Sequence, residues 1–99
     1  MHARTGTLQV SPDKVDAASD AIKARVASDY PNQQGYKGFT LLADRGSGKV
    51  IGISFWESEA DLEASEELGA KARSDAAESA EASSEPVREV FEVLFDDQV

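Results

Sequence analysis

Two apolar segments separated by a glycine turn, with a helix start directly after the second, constrain the fold of this chain most. The first segment is Tyr36–Asp44, the second is Lys49–Trp56, and Arg45-Gly46-Ser47-Gly48 lies between them. Glycine adopts positive φ angles at low steric cost, so this pattern predicts a β-hairpin. Ser58, with Asp61 three residues later, is typical of a capping box and predicts a helix immediately after the hairpin.

Periodicity and helix-end signals indicate the remaining elements. Residues 3–10 suit a pleated strand, and Ser11-Pro12 behind them is typical of a helix start. Apolar residues then recur at spacings of three and four, which predicts a helix with one buried stripe, formed by Val15, Ala18, Ile22 and Val26. A second helix is predicted over residues 58–83, with Gly69 as the point where it bends or breaks, and a last strand over residues 87–95.

The order of these elements is βαββαβ, which is the order of a ferredoxin-like unit. It predicts an α+β fold in which a four-stranded antiparallel sheet carries both helices on one face. A chain of 99 residues has room for one hydrophobic core, so we expect a single domain over residues 1–99.

The charge of the chain limits its partners. Nineteen acidic against ten basic residues give a formal net charge of −9, and such a charge repels nucleic-acid phosphates and anionic membrane surfaces. No cysteine is present, and no apolar run has the length of a membrane span or the character of a signal peptide. We therefore expect a cytoplasmic protein that binds neither nucleic acid nor a membrane.

Apolar side chains occur on both faces of the predicted sheet. Alternation along the third strand separates two sets of residues, Val50, Gly52, Ser54 and Trp56 on one face and Ile51, Ile53 and Phe55 on the other. Two helices cover only one face, and the other would expose a large apolar patch. We therefore expect a homodimer whose second copy covers the helix-free face, with a modestly apolar open sheet as the alternative.

Three segments carry a resemblance to a known family. They are Gly35-Tyr36-Lys37-Gly38-Phe39, the turn from Asp44 to Lys49, and Ile53-Ser54-Phe55-Trp56-Glu57-Ser58-Glu59-Ala60-Asp61-Leu62. In these parts the sequence resembles the antibiotic biosynthesis monooxygenase superfamily, whose members are dimeric α+β barrels. The superfamily includes cofactor-independent oxygenases of aromatic polyketides, haem-degrading enzymes, quinol oxygenases and small proteins of unknown role. The resemblance therefore implies the fold and the homodimer and leaves the reaction open.

Four residues are candidates for a ligand-binding site. The resemblance places Trp56 at a strand end beside a cavity, where an indole stacks on a ring and donates one hydrogen bond. Tyr36 offers a phenol, Ser54 a hydroxyl, and Arg88 a guanidinium for a substrate anion or oxyanion. Each has a structural alternative. Trp56 caps the core, Tyr36 lies on a rim, Ser54 satisfies a local hydrogen bond, and Arg88 pairs with nearby glutamates.

The sequence argues against a cofactor. The resemblance implies that haem-degrading members pair the strand-end tryptophan with a histidine in the following helix and an asparagine on the first strand. No histidine follows Trp56 here, Gly6 or Thr7 stands where the asparagine would be, and His2 lies at a terminus expected to fray. The acidic run that begins at Glu57 suits a helix start better than a metal site. We expect no haem, no metal and no other cofactor.

Two classes of function remain open from the sequence. One is a cofactor-independent monooxygenase whose electron-rich aromatic substrate itself activates oxygen in a dry, orienting pocket. The other is a non-catalytic dimer that binds a small apolar molecule or serves an assembly role, which the lack of a strong acid–base group near Trp56 favours. No residue receives a catalytic role from the sequence.

Overall fold

The computed structural model describes residues 1–98 as one antiparallel sheet with helices packed on one face. The strands are β1 (His2–Gln9), β2 (Tyr36–Asp44), β3 (Lys49–Trp56) and β4 (Val87–Glu92). The helices are α1 (Val15–Asp29), α2 (Glu59–Ala64) and α3 (Glu66–Ser79). The strand order β2-β3-β1-β4 confirms the predicted ferredoxin-like α+β fold. Val99, the last residue of the predicted domain, lies outside the described residues.

The β2–β3 hairpin has the predicted bounds, and its turn is fastened to the end of β1. Gly48 has a φ angle of +81°, and a side chain there would meet the carbonyl oxygen of Val10 at 1.9 Å. The amide of Val10 donates to the carbonyl of Gly48 at 3.0 Å, and the amide of Gly48 donates to the carbonyl of Asp44 at 2.9 Å. Only glycine combines this conformation with this approach, so the turn sequence fixes how the hairpin meets β1.

The segment after β3 forms two helices instead of the single helix predicted over residues 58–83. The break lies at Ser65 and not at Gly69, which continues α3. The hydroxyl of Ser65 donates to the carbonyl of Leu62 at 2.7 Å, and serine side chains that bond nearby carbonyls compete with helical hydrogen bonds. Ser58 caps α2 as predicted, because its hydroxyl accepts from the amide of Asp61 at 3.1 Å.

The two ends of the sheet differ from the prediction in ways that the strand register explains. β4 ends at Glu92 and not near residue 95, because Glu92 pairs with His2 at the first residue of β1. His2 is not frayed, since it pairs with Trp56 on one side and Glu92 on the other. At the other end of β1, Ser11 makes no side-chain cap, and a 3-10 turn at Pro12–Lys14 leads into α1.

The core between sheet and helices has two parts with different side chains. The first, called here the aliphatic half, consists of small and branched residues: Leu8, Val10, Val15, Ala18, Ile22, Val50, Ala76 and Ala80. The second, called the aromatic half, is built on Tyr30, Trp56 and Leu62, with Tyr36, Phe39, Leu68 and Val90 packed against it.

The helix-free face of the sheet, called here the open face, carries apolar side chains that nothing in the described chain covers. Leu42, Val87 and Phe91 are 48%, 53% and 50% exposed. The register places Leu42 beside Ile51 and Phe91 opposite Ala3. Among residues 1–98, no helix combines the length and the apolar character needed to cross a membrane.

Candidate functional site

Three aromatic rings meet at the end of the sheet where β2 begins and β3 ends. The ring centroids of Trp56 and Tyr36 are 5.5 Å apart, and those of Trp56 and Tyr30 are 5.7 Å apart. Tyr30 directly follows α1 and precedes Pro31, so the end of that helix delivers its ring. Tyr36 and Trp56 face each other across the hairpin, whose register shifts between Tyr36 and Gly38. The three elements together form an aromatic cage.

Arg4 lies inside this cage. It is 3% exposed, and its guanidinium carbon lies 5.6 Å from the ring centre of Trp56 and 6.0 Å from that of Tyr30. Its Nη2 donates to the hydroxyl of Tyr30 at 3.2 Å, and its Nη1 donates to Ser65 Oγ at 3.0 Å and to the carbonyl of Leu62 at 3.3 Å. A desolvated cation over aromatic faces gains about 2 kcal/mol or more from the ring quadrupole. The cage therefore holds a positive charge in the protein interior.

Arg4 belongs to a group of charges that we call the arginine cluster: Arg4, Arg73, Arg88, Glu63 and Glu66. Glu66 Oε1 lies 3.4 Å from Arg4 Nη1 and accepts from Arg88 Nε at 2.8 Å, while its Oε2 accepts from Arg73 Nη2. Arg88 Nη2 also donates to Glu63 at 2.9 Å. Burial raises the pKa of Glu66, but the hydrogen bonds from Arg73 and Arg88 outweigh it, and the pKa lies below its usual 4.5. Glu66 is therefore ionised at neutral pH and is shared by three guanidinium groups.

A small cavity lies between the arginine cluster and the aliphatic half. Its volume is about 30 Å³, which is room for about one water molecule. Its polar lining comes from Arg4, Tyr30, Ser54 and Arg73, and three glycines of the sheet and α3 also border it. A side chain at one of these glycines, Gly69, would come within 2.6 Å of the guanidinium carbon of Arg4. The space beside Gly6 and Gly69 is thus filled by arginine side chains and does not form a large cavity.

The four residues predicted as ligand-binding lie in two places. Trp56 is fully buried and stands behind the cavity wall, with its indole Nε1 donating to Ser54 Oγ at 2.9 Å. Ser54 itself lines the cavity. Tyr36 contacts Trp56 in the cage, and burial raises the pKa of its phenol, so it stays protonated. Arg88 lies on the outer side of the arginine cluster and reaches the cage only through Glu66.

Sequence reasoning missed three residues of the site: Arg4, Tyr30 and Arg73. The signal for Arg4 was present, because alternation along β1 puts it on the same face as Leu8 and Val10. A charged residue in phase with core residues is a buried charge, and buried charges need partners. Arg73 gave no such signal, since one arginine in a polar helix is ordinary.

The arrangement suits the binding and stabilisation of negative charge. Arg4 supplies a buried cation, and Tyr30, whose hydroxyl accepts from Arg4, also lines the cavity. Among residues 1–98, no three histidine, aspartate or glutamate side chains converge as metal ligands. The polar groups that the cavity offers are the guanidinium groups of Arg4 and Arg73 and the hydroxyls of Tyr30 and Ser54.

Comparison with known proteins supplies a family match. A family model for antibiotic biosynthesis monooxygenases matches residues 1–85. In sequence, the chain matches no curated protein.

Solved structures with the same fold are distant in sequence. A monooxygenase of Streptomyces coelicolor from the gene ActVA-Orf6, in complex with Nanaomycin D, is 15% identical with a TM-score of 0.79, over 99% of this chain and 91% of that one. The haem degrader MhuD of Mycobacterium tuberculosis is 20% identical with a TM-score of 0.70, over 99% and 100%. A protein of unknown function from Nitrosomonas europaea is 21% identical with a TM-score of 0.74, over 99% and 93%. At these identities the likeness shows the fold alone.

Proposed function

Because the chain belongs to the antibiotic biosynthesis monooxygenase family, we propose that it is a cofactor-independent monooxygenase of an electron-rich aromatic small molecule. The observation that carries this proposal is the buried guanidinium of Arg4 at the wall of the cavity. Preorganised donors in a dry site stabilise developing negative charge far better than they do in water. The site thus fits a substrate that must become an anion before it reacts.

A phenol- or anthrone-like ring meets that requirement. Loss of a proton gives a delocalised anion whose oxygen Arg4 and the hydroxyl of Tyr30 stabilise. The anion transfers electrons to O₂, one oxygen atom becomes the new carbonyl of the ring, and the second leaves as water. The two hydrogens of that water come from the methylene carbon of an anthrone, or from the hydroxyl and one ring carbon of a phenol. The substrate supplies all four electrons, so no other reductant is consumed. The protein contributes orientation, apolar walls and hydrogen-bond donors.

A homodimer is part of this proposal. The open face exposes Leu42, Val87 and Phe91, and patches of this kind mark protein–protein contacts. A second copy packed on this face should bury more than roughly 1,000 Å² in total. Sedimentation velocity at micromolar concentration should show the dimer, and a stable monomer would contradict it.

The second candidate is a non-catalytic protein that binds a small molecule or serves an assembly role. The small cavity favours it, since about 30 Å³ does not admit an aromatic ring without rearrangement. The two candidates differ in turnover and not in fold.

Oxygen uptake separates these candidates. We expect uptake with anthrone, followed at an oxygen electrode with product formation measured in parallel. Arg4→Met should lower kcat/KM by roughly 100-fold or more, as loss of an oxyanion donor does. The fold should persist, because Glu66 keeps Arg73 and Arg88 as partners and is not left as an unpaired charge. The matched control is Arg45→Met, which removes an exposed arginine paired with Asp16. No uptake with anthrone or simple naphthalenediols, or equal rates in both variants, would favour the second candidate.

Haem binding provides a separate check on the absence of a cofactor. No histidine follows Trp56 in the chain, so titration with haemin should give no stoichiometric Soret shift. A sharp shift that saturates at a fixed ratio would contradict the cofactor-independent proposal.

A further inference from the structure

The arginine cluster is unexpected in a chain with a net charge of −9. Arg4, Arg73 and Arg88 converge on one carboxylate, that of Glu66, and Glu63 contacts only Arg88 among them. Three cations against two anions leave a local positive charge at the border of the cavity. An anionic ligand therefore finds attraction at this point that the molecule as a whole does not offer.

The contacts of Glu66 are shared and incomplete. A guanidinium prefers to hold a carboxylate with two parallel hydrogen bonds. Here each of the three arginines reaches Glu66 through a single nitrogen, and the Arg4 contact is a long 3.4 Å. Glu66 thus supplies negative charge to the cluster but leaves hydrogen-bond donors of the three guanidinium groups unused. A carboxylate that makes two parallel hydrogen bonds can displace this internal counter-ion.

Arg73 occupies the space that a ligand would need. Its side chain lies across Gly6 of the sheet, where an added Cβ would be 2.9 Å from Arg73 Cδ. It also lines the cavity, and its side chain is 16% exposed. A rotamer change that moves the methylene groups of Arg73 off Gly6 would enlarge the cavity without moving the backbone, while the guanidinium stays at its border to hold a ligand carboxylate.

We propose that the cavity takes a planar aromatic carboxylate, which binds its ring against the apolar wall of Leu8, Ile22 and Phe39 and its carboxylate to Arg73 and Arg4 in place of Glu66. The proposal rests on the proposed function, because it names the substrate class of the same site. It adds that aromatic substrates with an acid group bind more tightly than neutral ones, and that Glu66 is the group that this acid replaces.

Binding of 2-naphthoate compared with its neutral isostere 2-naphthamide tests the proposal. Trp56 is the single tryptophan, and its indole N–H donates to Ser54 at the cavity wall, so its signal in a nitrogen–proton correlation spectrum reports occupation of the cavity. We expect 2-naphthoate to bind at least about tenfold more tightly, since hydrogen bonds to charged groups are stronger than neutral ones. Equal affinity of the acid and the amide would overturn the proposal.

Variants assign the preference to specific residues. Arg73→Met should abolish the preference for the acid, and Arg45→Met, on the exposed hairpin turn, should leave it intact. Glu66→Gln removes the internal competitor, so 2-naphthoate should bind several-fold more tightly. The proposal would be overturned if the preference for the acid survives Arg73→Met, or if it falls equally with Arg45→Met. It would also be overturned if binding of 2-naphthoate does not strengthen in a folded Glu66→Gln variant.

The binding experiment and the oxygen-uptake experiment test the two proposals independently of each other. If 2-naphthoate binds as described while no aromatic substrate consumes oxygen, the proposal stands and the monooxygenase function is wrong. If anthrone is oxidised while the acid and the amide bind with equal affinity, the monooxygenase function stands and the carboxylate proposal is wrong.

Discussion

The aliphatic half and the aromatic half of the core lie under the same helices on the same sheet, yet they bury different chemistry. Among residues 1–98, the buried polar side chains besides Tyr30 are those of Arg4, Ser54 and Ser65, and all three contact the aromatic half. The aliphatic half contains only alanine, valine, leucine and isoleucine among its buried members. One half is assembled by burial of apolar area, and the other around a buried cation.

The aliphatic half mainly stabilises the fold, whereas the aromatic half holds the charged groups that suit a ligand. Apolar burial contributes about 25 cal/mol per Å² and needs no partners. A buried guanidinium costs several kcal/mol in lost hydration, which its hydrogen bonds, the aromatic faces and Glu66 must offset. Since a hydrophobic core would be at least as stable there, stability alone does not explain Arg4. Substitutions around Arg4 in the aromatic half should alter the preference for an acid. Substitutions in the aliphatic half should alter mainly stability, although Leu8 and Ile22 also form part of the cavity wall.

The largest expected effect comes from breaking the aliphatic half. Leu8→Ala should cost about 2–5 kcal/mol in the free energy of unfolding, because Leu8 is buried and the helices close over it. Urea denaturation measures this cost. The variant should still bind 2-naphthoate with preference for the acid at temperatures where it is folded. A loss of below about 1 kcal/mol would show that this half does not carry the fold.

The next effect separates size from hydrogen bonding in the aromatic half. Trp56→Phe should cost about 1–3 kcal/mol, since it removes ring volume and the bond from the indole to Ser54. Unlike Leu8→Ala, which leaves the arginines in place, it should also weaken the preference for the acid or lower turnover, because Ser54 loses its donor and Arg4 loses part of its cage. If the variant matches the parent in every binding and activity measurement while Trp56→Ala unfolds, Trp56 is a core residue alone.

A smaller effect tests the fit between Arg4 and α3. Gly69→Ala gains up to about 1 kcal/mol in helix propensity, but the new methyl would stand 2.6 Å from the Arg4 guanidinium carbon. We expect a net loss of about 1–2 kcal/mol, as overpacking of a tight site costs. Ser74→Ala, at an exposed position of the same helix, is the control and should be neutral or slightly stabilising.

A double substitution sharpens that test. If the loss comes from Arg4, Gly69→Ala should cost nothing measurable in the background of Arg4→Met, because the methyl then meets a flexible, uncharged chain. Thermal or urea unfolding of all four proteins gives the coupling free energy. Additive effects would mean that Gly69 is small for another reason.

The smallest effect is a dependence on pH. The folded-state pKa of Glu66 is lowered, so its contribution is present above its ordinary value of 4.5 and is lost as the pH falls through the lower folded value. Glu66→Gln should therefore be less stable at neutral pH and should lose less stability than the parent on acidification below about 4.5. Asp16→Asn, which breaks an exposed pair with Arg45, should leave the acid profile close to that of the parent. Identical profiles for the parent and Glu66→Gln would show that the arginine cluster holds no pH-dependent stability.

Most of the fold could be predicted because its signals are local. The hairpin bounds, the capping of α2 by Ser58 and the order of elements follow from turn chemistry and alternation within short windows. The helix break was misplaced because the local bond from Ser65 to Leu62 acts together with contacts to a residue far away in the chain. Ser65 accepts a hydrogen bond from Arg4, 61 residues away in the chain, and Gly69 is small because the same arginine lies against it.

The candidate site was predicted only in part. Trp56, Tyr36 and Ser54 are on one hairpin, and the structure does bring them together. Their expected partner Arg88 joins the group only through Glu66, and the side chains that line the cavity include Arg4, Tyr30 and Arg73 from other elements.

The sequence by itself determined which segments become strands and helices, because hydrophobic period, glycine turns and caps act over a few residues. Only the tertiary structure decided that Arg4 stands between Ser54 and Val90 in the sheet, with Tyr30, Ser65 and Glu66 brought over it by the helices. Strand register and helix packing join residues far apart in the chain, and no local pattern encodes which distant side chain will meet a buried charge. The fold was therefore readable from the sequence, and the arginine cluster was not.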